Sequence, residues 1–195
     1  MRLKIVSTGS GPDLALIHGW GLGSGVWQEA AEALAANCRV HLVSLAGYDG
    51  QATDTLTFDA TAAAIADQLP AGCTLCGWSL GGMLALSAAL QRPRHIGRLV
   101  LVGSSPRFVV GDDWPHGQPP ALLDTFRNAV AEDAKATLSR FVMLFNQGDE
   151  KARALSRRLA PLLSAGLPDT GTLLRGLDWL GSVDLRAALA SIAQP

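Results

Sequence analysis

The residues with the plainest chemical content are Gly77-Trp78-Ser79-Leu80-Gly81-Gly82, a G-x-S-x-G pattern that closes an apolar run and opens a helical one. A serine on so sharp a strand-to-helix turn takes a strained backbone that lifts its hydroxyl above the sheet, and the flanking residues must be small for strand and helix to approach. Gly77, Gly81 and Gly82 satisfy that requirement. The hydroxyl then stands at a helix N-terminus, where free N–H groups and the helix dipole favour a developing negative charge. The chemistry this predicts is nucleophilic attack by Ser79 on a carbonyl carbon. An attacked carbonyl needs donors for its oxyanion, one from the residue after the nucleophile and one from the loop after an early strand. Leu80 and, in His18-Gly19-Trp20-Gly21, Trp20 are the candidate backbone donors.

Serine is a weak nucleophile without a base and an orienting acid. The sequence has four histidines, at 18, 41, 95 and 116. His95 lies sixteen residues along the helix from Ser79, roughly 20 Å away at 1.5 Å per residue, and is excluded as the base. His116, in Asp113-Trp114-Pro115-His116-Gly117, reads as part of a surface turn; His18 belongs to the oxyanion loop with a structural role, and His41 packs within a strand. The usual order of such a triad is Ser, then Asp or Glu, then a late His. The sequence therefore predicts that acid and base come from beyond Pro195, and that this is the N-terminal part of a longer enzyme. Two other chemistries fail on spacing. Gly19 to Val26 never puts G-x-G-x-x-G/A in register, and no acidic residue follows at the distance a dinucleotide ribose requires. Cys73-Thr74-Leu75-Cys76 has redox or zinc spacing, but residues three apart on a strand face opposite ways, so the thiols diverge into packing. No metal and no cofactor are expected.

The elements that must hold these residues alternate. Strands are predicted at Leu3–Ser7, Leu14–His18, Arg39–Leu45, Cys73–Trp78 and Arg98–Gly103, and helices at Val26–Ala36, Phe58–Leu69 and Leu80–Gln91. That order gives a mostly parallel sheet covered by helices. Only the first two strands lack an intervening helix, and Gly9-Ser10-Gly11-Pro12-Asp13 reads as a hairpin turn between them. Ser104–Pro120 holds four of the ten prolines and no periodic apolar pattern, so it leads away from the sheet. Helical patterns follow at Ala121–Ala131, Ala134–Asn146, Glu150–Leu163 and Thr170–Trp179, and Asp184–Ala193 reads as a short helix returning to the sheet. The predicted organisation is a core of 1–103 and 182–195 with a helical lid inserted at 104–181. Ending at Pro195 leaves the fifth strand as a bare parallel edge, which argues again for more chain.

Composition bounds the rest. With 195 residues, 48% hydrophobic and 17% charged, the sequence is one domain with a real core and is not disordered. A net charge of −1 lacks the basic excess of a nucleic-acid surface. No apolar run reaches membrane-span length and the N-terminus is no signal peptide, so a cytoplasmic location is expected. The three cysteines, Cys38, Cys73 and Cys76, then stay unpaired in a reducing compartment.

The sequence resembles a particular family, the pimeloyl-acyl-carrier-protein methyl ester esterases of biotin synthesis, called BioH. The resemblance rests on Leu16-Ile17-His18-Gly19-Trp20-Gly21-Leu22 with Val26-Trp27, on Gly77–Gly82, on Ser104-Ser105-Pro106 with Phe108 and Asp113-Trp114-Pro115, on Arg140-Phe141, and on Val183-Asp184-Leu185-Arg186. It implies the α/β-hydrolase fold, a monomer, and cleavage of the methyl ester of a pimeloyl chain on acyl-carrier protein. It implies Ser79 as nucleophile with Trp20 and Leu80 at the oxyanion. Phe141, Val142, Met143, Leu144 and Phe145 would line the acyl channel, and Arg140, Arg153 and Arg157 would meet the acidic carrier protein. Read from the residues alone, Lys151, Arg153, Arg157 and Arg158 are a solvated helix face as readily as a docking patch, and Phe141, Leu144 and Phe145 are a core stripe as readily as a channel. Two alternatives stand beside the esterase: another ester or thioester hydrolase on the same scaffold, and a non-catalytic homologue that lacks the triad Asp and His.

Overall fold

A computed structural model describes residues 2–145, 157, 159, 161–162 and 167–195. Five strands, β1 (Lys4–Thr8), β2 (Asp13–Ile17), β3 (Arg39–Ser44), β4 (Cys73–Trp78) and β5 (Ile96–Val102), form one sheet in the order β1-β3-β2-β4-β5. β1 pairs with β3 antiparallel and every other pairing is parallel.

The expected β1–β2 hairpin does not form, because β3 lies between the two strands. Leu14-Ala15-Leu16-Ile17 is apolar on both faces, so β2 takes the sheet centre between parallel neighbours, while the largely exposed β1 goes to the rim. The glycines of the connection serve a crossing instead of a tight turn. Gly9 and Gly11 have φ of +77° and +117°, and a Cβ on Gly9 would come within 2.4 Å of the Cys38 carbonyl oxygen.

Helices α1 (Gln28–Leu34), α2 (Phe58–Gln68) and α3 (Leu80–Gln91) cover the sheet. α3 is apolar all round and ten of its residues are buried, as a helix packed on every side must be. Alternation along the strands divides the core in two. Ala15, Ile17, Val43, Cys73 and Leu75 belong to one cluster, and Leu16, Val40, Leu42 and Cys76 to the other. Cys73 and Cys76 thus diverge as expected, and burial pushes the Cys73 thiol up to about 12.

After β5 the chain runs through an irregular segment tied by isolated bridges, Val109 to Gln118 and Arg107 to Asp184, into α4 (Pro120–Glu132) and α5 (Ala134–Phe145). Most of the predicted helix Glu150–Leu163 lies outside the described residues. α6 (Thr170–Ser182) begins at the cap Asp169, whose carboxylate accepts the Thr172 N–H at 2.9 Å and also the Thr53 hydroxyl. It buries Leu173, Leu177 and Leu180 against the main core. The return is a short 3-10 helix, Arg186–Ser191. There Asp184 links Arg107 and Arg186, which hold its carboxyl down at about 2. On β5, Val100, Leu101 and Val102 are exposed.

Candidate active site

Ser79 sits between β4 and α3 with φ 53° and ψ −119°, one of two non-glycine residues with positive φ among those described. Its neighbours leave no room for side chains. A Cβ on Gly77 would lie 2.3 Å from the Gly81 carbonyl oxygen, and one on Gly81 would lie 2.4 Å from that of His18. The turn is held from below: Ser79 N–H donates to the Val102 carbonyl at 2.9 Å, and the Ser104 hydroxyl donates to the Ser79 carbonyl at 2.8 Å. Ser79 is half-buried, and its hydroxyl caps no helix N–H.

The loop after β2 abuts this turn. A Cβ on Gly19 would stand 3.3 Å from the Ser79 Cβ, so the backbone at Gly19 passes directly beside the serine. Neither the Trp20 nor the Leu80 N–H has a hydrogen-bond acceptor among the described residues. Gly21 donates its N–H to the Tyr48 hydroxyl at 3.1 Å. His18 is wholly buried under the loop. Its Nε2 accepts the Leu45 N–H at 3.1 Å, which leaves Nδ1 to donate to the Gly19 carbonyl at 2.7 Å. Burial pushes its pKa down, so the ring is a neutral brace with both nitrogens engaged.

His41 bridges the Ser7 hydroxyl and Asp13, and His95 bonds the Leu69 carbonyl at the far end of α3. His116 is exposed and edge-on to Trp114, yet it lines a cavity of about 210 Å³ together with Ser79, Ser104, Ser105 and Gln118. Among the described residues none hydrogen-bonds the Ser79 hydroxyl.

A second cavity of about 500 Å³ opens from Ser79 and is mostly apolar, walled by Trp20, Phe108, Leu122, Phe126, Phe141 and Leu177 among others. Of the five consecutive residues expected to line an acyl channel, Phe141 walls this cavity. Val142 is buried, Met143 is 61% exposed, and neither lines either cavity. Successive helical residues are turned by about 100°, so a run of five cannot share one wall. The side chains of Leu144 and Phe145, and all of Arg153, lie outside the described residues; Arg140 and Arg157 are exposed. Sequence reasoning missed Phe108, Leu122 and Phe126. The amphipathic pattern of α4 carried a signal for the last two, at i and i+4.

A family model described as the alpha/beta hydrolase fold matches residues 13–186. A pimeloyl-acyl-carrier-protein methyl ester esterase from Nitrosomonas europaea is 41% identical over 195 residues, a match spanning 99% of this chain and 77% of that protein. The chain belongs to this esterase family. Another member, from Stenotrophomonas maltophilia, is 42% identical over 196 residues, spanning 99% of this chain and 75% of its own. Among solved structures, an esterase from Exiguobacterium antarcticum superposes with a TM-score of 0.87 at 22% identity, covering 98% of this chain and 74% of that one. A bromoperoxidase from Bacillus anthracis has the same TM-score at 21% identity, covering 99% and 74%. At such identities the likeness is one of fold, the α/β-hydrolase fold that this esterase family shares.

Proposed function

We propose that the protein is a serine carboxylesterase that hydrolyses the methyl ester of a pimeloyl chain carried on acyl-carrier protein, in biotin synthesis. The observation that carries this is Ser79 at positive φ on the strand-to-helix turn, with an apolar cavity opening from it and, at Trp20 and Leu80, two amides that have no acceptor among the described residues. The relatives at about 40% identity supply the substrate.

In this reading the Ser79 oxygen attacks the ester carbonyl carbon as its proton passes to a base. The carbonyl oxygen becomes an alkoxide that the Trp20 and Leu80 N–H groups receive. The C–O bond to the methoxy group then breaks, methanol leaves, and water hydrolyses the acyl-serine to the free carboxylate and Ser79. Preformed donors of this kind are each worth about 3–4 kcal/mol of barrier. Residues 104–181 act as a lid over the core formed by 1–103 and 182–195. The apolar cavity accepts the methylene chain, which adds about 0.8 kcal/mol for each CH₂ removed from water. Arg140, Arg153 and Arg157 are the residues that bind the acidic carrier, and the protein works as a cytoplasmic monomer without metal or cofactor. Among the described residues no helix is long and apolar enough to cross a membrane.

Methanol release from pimeloyl-acyl-carrier-protein methyl ester tests the assignment. The wild-type protein is expected to release it, and Ser79→Ala to lose at least about a thousandfold in rate with folding intact. Retained turnover in the variant, or equal use of short p-nitrophenyl esters with or without carrier, would refute it.

A further inference from the structure

We infer that Gly176, in the middle of α6, is a positioning residue for the oxyanion hole and acts through the Trp20 indole. This rests on the reading of Trp20 and Leu80 as the oxyanion donors. The Trp20 side chain is buried, and elements from the lid hold it on several sides. Its indole N–H donates to the Leu173 carbonyl on α6 at 2.8 Å. Phe126 of α4 and Phe141 of α5 stand edge-on to it, with ring centroids 5.4 and 5.7 Å away. Gly176 provides the seat: a Cβ there would lie 2.6 Å from Trp20 Cδ1, 3.1 Å from its Nε1 and 3.6 Å from Leu80 Cδ2. A side chain at this one position would thus meet both residues read as the oxyanion donors.

A glycine inside a helix is less favourable than alanine, so burial of this one against an indole calls for a reason in packing. The ring cannot slide along α6, because its own hydrogen bond to Leu173 fixes it one turn away. The displacement passes to the backbone beneath, where Gly19 and Gly21 flank Trp20, against the hydrogen bonds that hold the Gly19 carbonyl to His18 and the Gly21 N–H to Tyr48. A methyl group at 176 therefore moves the Trp20 N–H away from where the alkoxide forms. It leaves the cavity walls at Leu122 and Phe108 untouched; Trp20 is itself a wall, so the test ester is a short one that does not need the depth of the cavity. By the same contact, the seating of the lid on the core sets the geometry of the hole.

The test uses Gly176→Ala, Trp20→Ala and the double variant, with steady-state kinetics on a short p-nitrophenyl ester and the Trp20 indole N–H resonance, assigned by its disappearance in Trp20→Ala. Gly176→Ala is expected to lower kcat about tenfold with KM within about twofold, the signature of an interaction that acts mainly in the transition state. The Trp20 resonance should shift. In the Trp20→Ala background, where neither Cδ1 nor Nε1 remains to meet the methyl, the same substitution should cost less than about threefold. A KM rise with unchanged kcat, equal losses in both backgrounds, or an unmoved resonance would overturn the inference. Absence of ester turnover in the wild type would sink the proposed function instead, and the resonance alone then decides for or against Gly176 as the seat. Should Gly176→Ala fail to fold, the double variant is expected to fold; failure of both overturns the proposal.

Discussion

Holding a non-glycine residue at φ 53° and ψ −119° costs on the order of 1–3 kcal/mol, and Ser79 is held there by hydrogen bonds from its own N–H and to its own carbonyl. Strain so supported aims a hydroxyl, and the residues around it are chosen for absence of bulk. His18 contributes differently. Both of its ring nitrogens are spent bracing the oxyanion loop, and burial keeps the ring neutral. Its folded pKa lies below 6.5, so as pH falls through 6.5 the unfolded chain takes up a proton that the folded protein refuses. Stability is therefore full above that pH and declines below it. The slope of unfolding free energy against pH between about 6.5 and 5, read from urea titrations, is expected to flatten in His18→Asn; an unchanged slope would assign the acid sensitivity elsewhere. The strained turn at Ser79 and the glycines around it were legible in the sequence because they follow from a fixed local spacing. The Gly176 contact was not, since nothing local couples residues 20 and 176.

At the scale of elements, α6 does more than cover the sheet. Its cap ties it to residue 53, its Leu173 carbonyl holds the Trp20 indole, and its apolar face fills the core. Hydrogen bonds from Thr53 and Thr172 hold the Asp169 carboxyl down at about 2, so the cap stays ionised across ordinary pH. Asp169→Ala is expected to cost about 1 kcal/mol of stability, measured by urea denaturation, while Asp169→Asn retains most of it; equal losses in both would point to charge instead of capping. Strand and helix positions followed from apolar periodicity, including both boundaries of α3. The pairing of β1 did not. A glycine-rich connection states that the chain turns, but the preference of β2 for the sheet centre, which sends β1 past β3, depends on how much of each strand is buried once all five are assembled.

Taken whole, the molecule sets a helical layer over the C-terminal ends of parallel strands, with an apolar cavity between the layer and Ser79. An acyl chain delivered by an acidic carrier suits that arrangement if the carrier docks on the exposed cations of the layer. Arg140→Glu with Arg157→Glu is expected to lower kcat/KM for the carrier-bound ester at least about tenfold at low salt and to leave a free small ester within about twofold, because steering by charge acts on encounter. Equal loss on both substrates would make these arginines structural. The helices α4, α5 and α6 were legible from their periodicity, and the identity of the cavity walls was not, since Phe108, Phe126 and Leu177 meet only through tertiary packing. Whether Ser79 is the activated nucleophile is decided by treating the protein with a fluorophosphonate and mapping the adduct by peptide mass spectrometry. One phosphonylated residue is expected, Ser79, with no adduct in Ser79→Ala; modification at another residue, or none at Ser79, would show that the turn does not carry the chemistry.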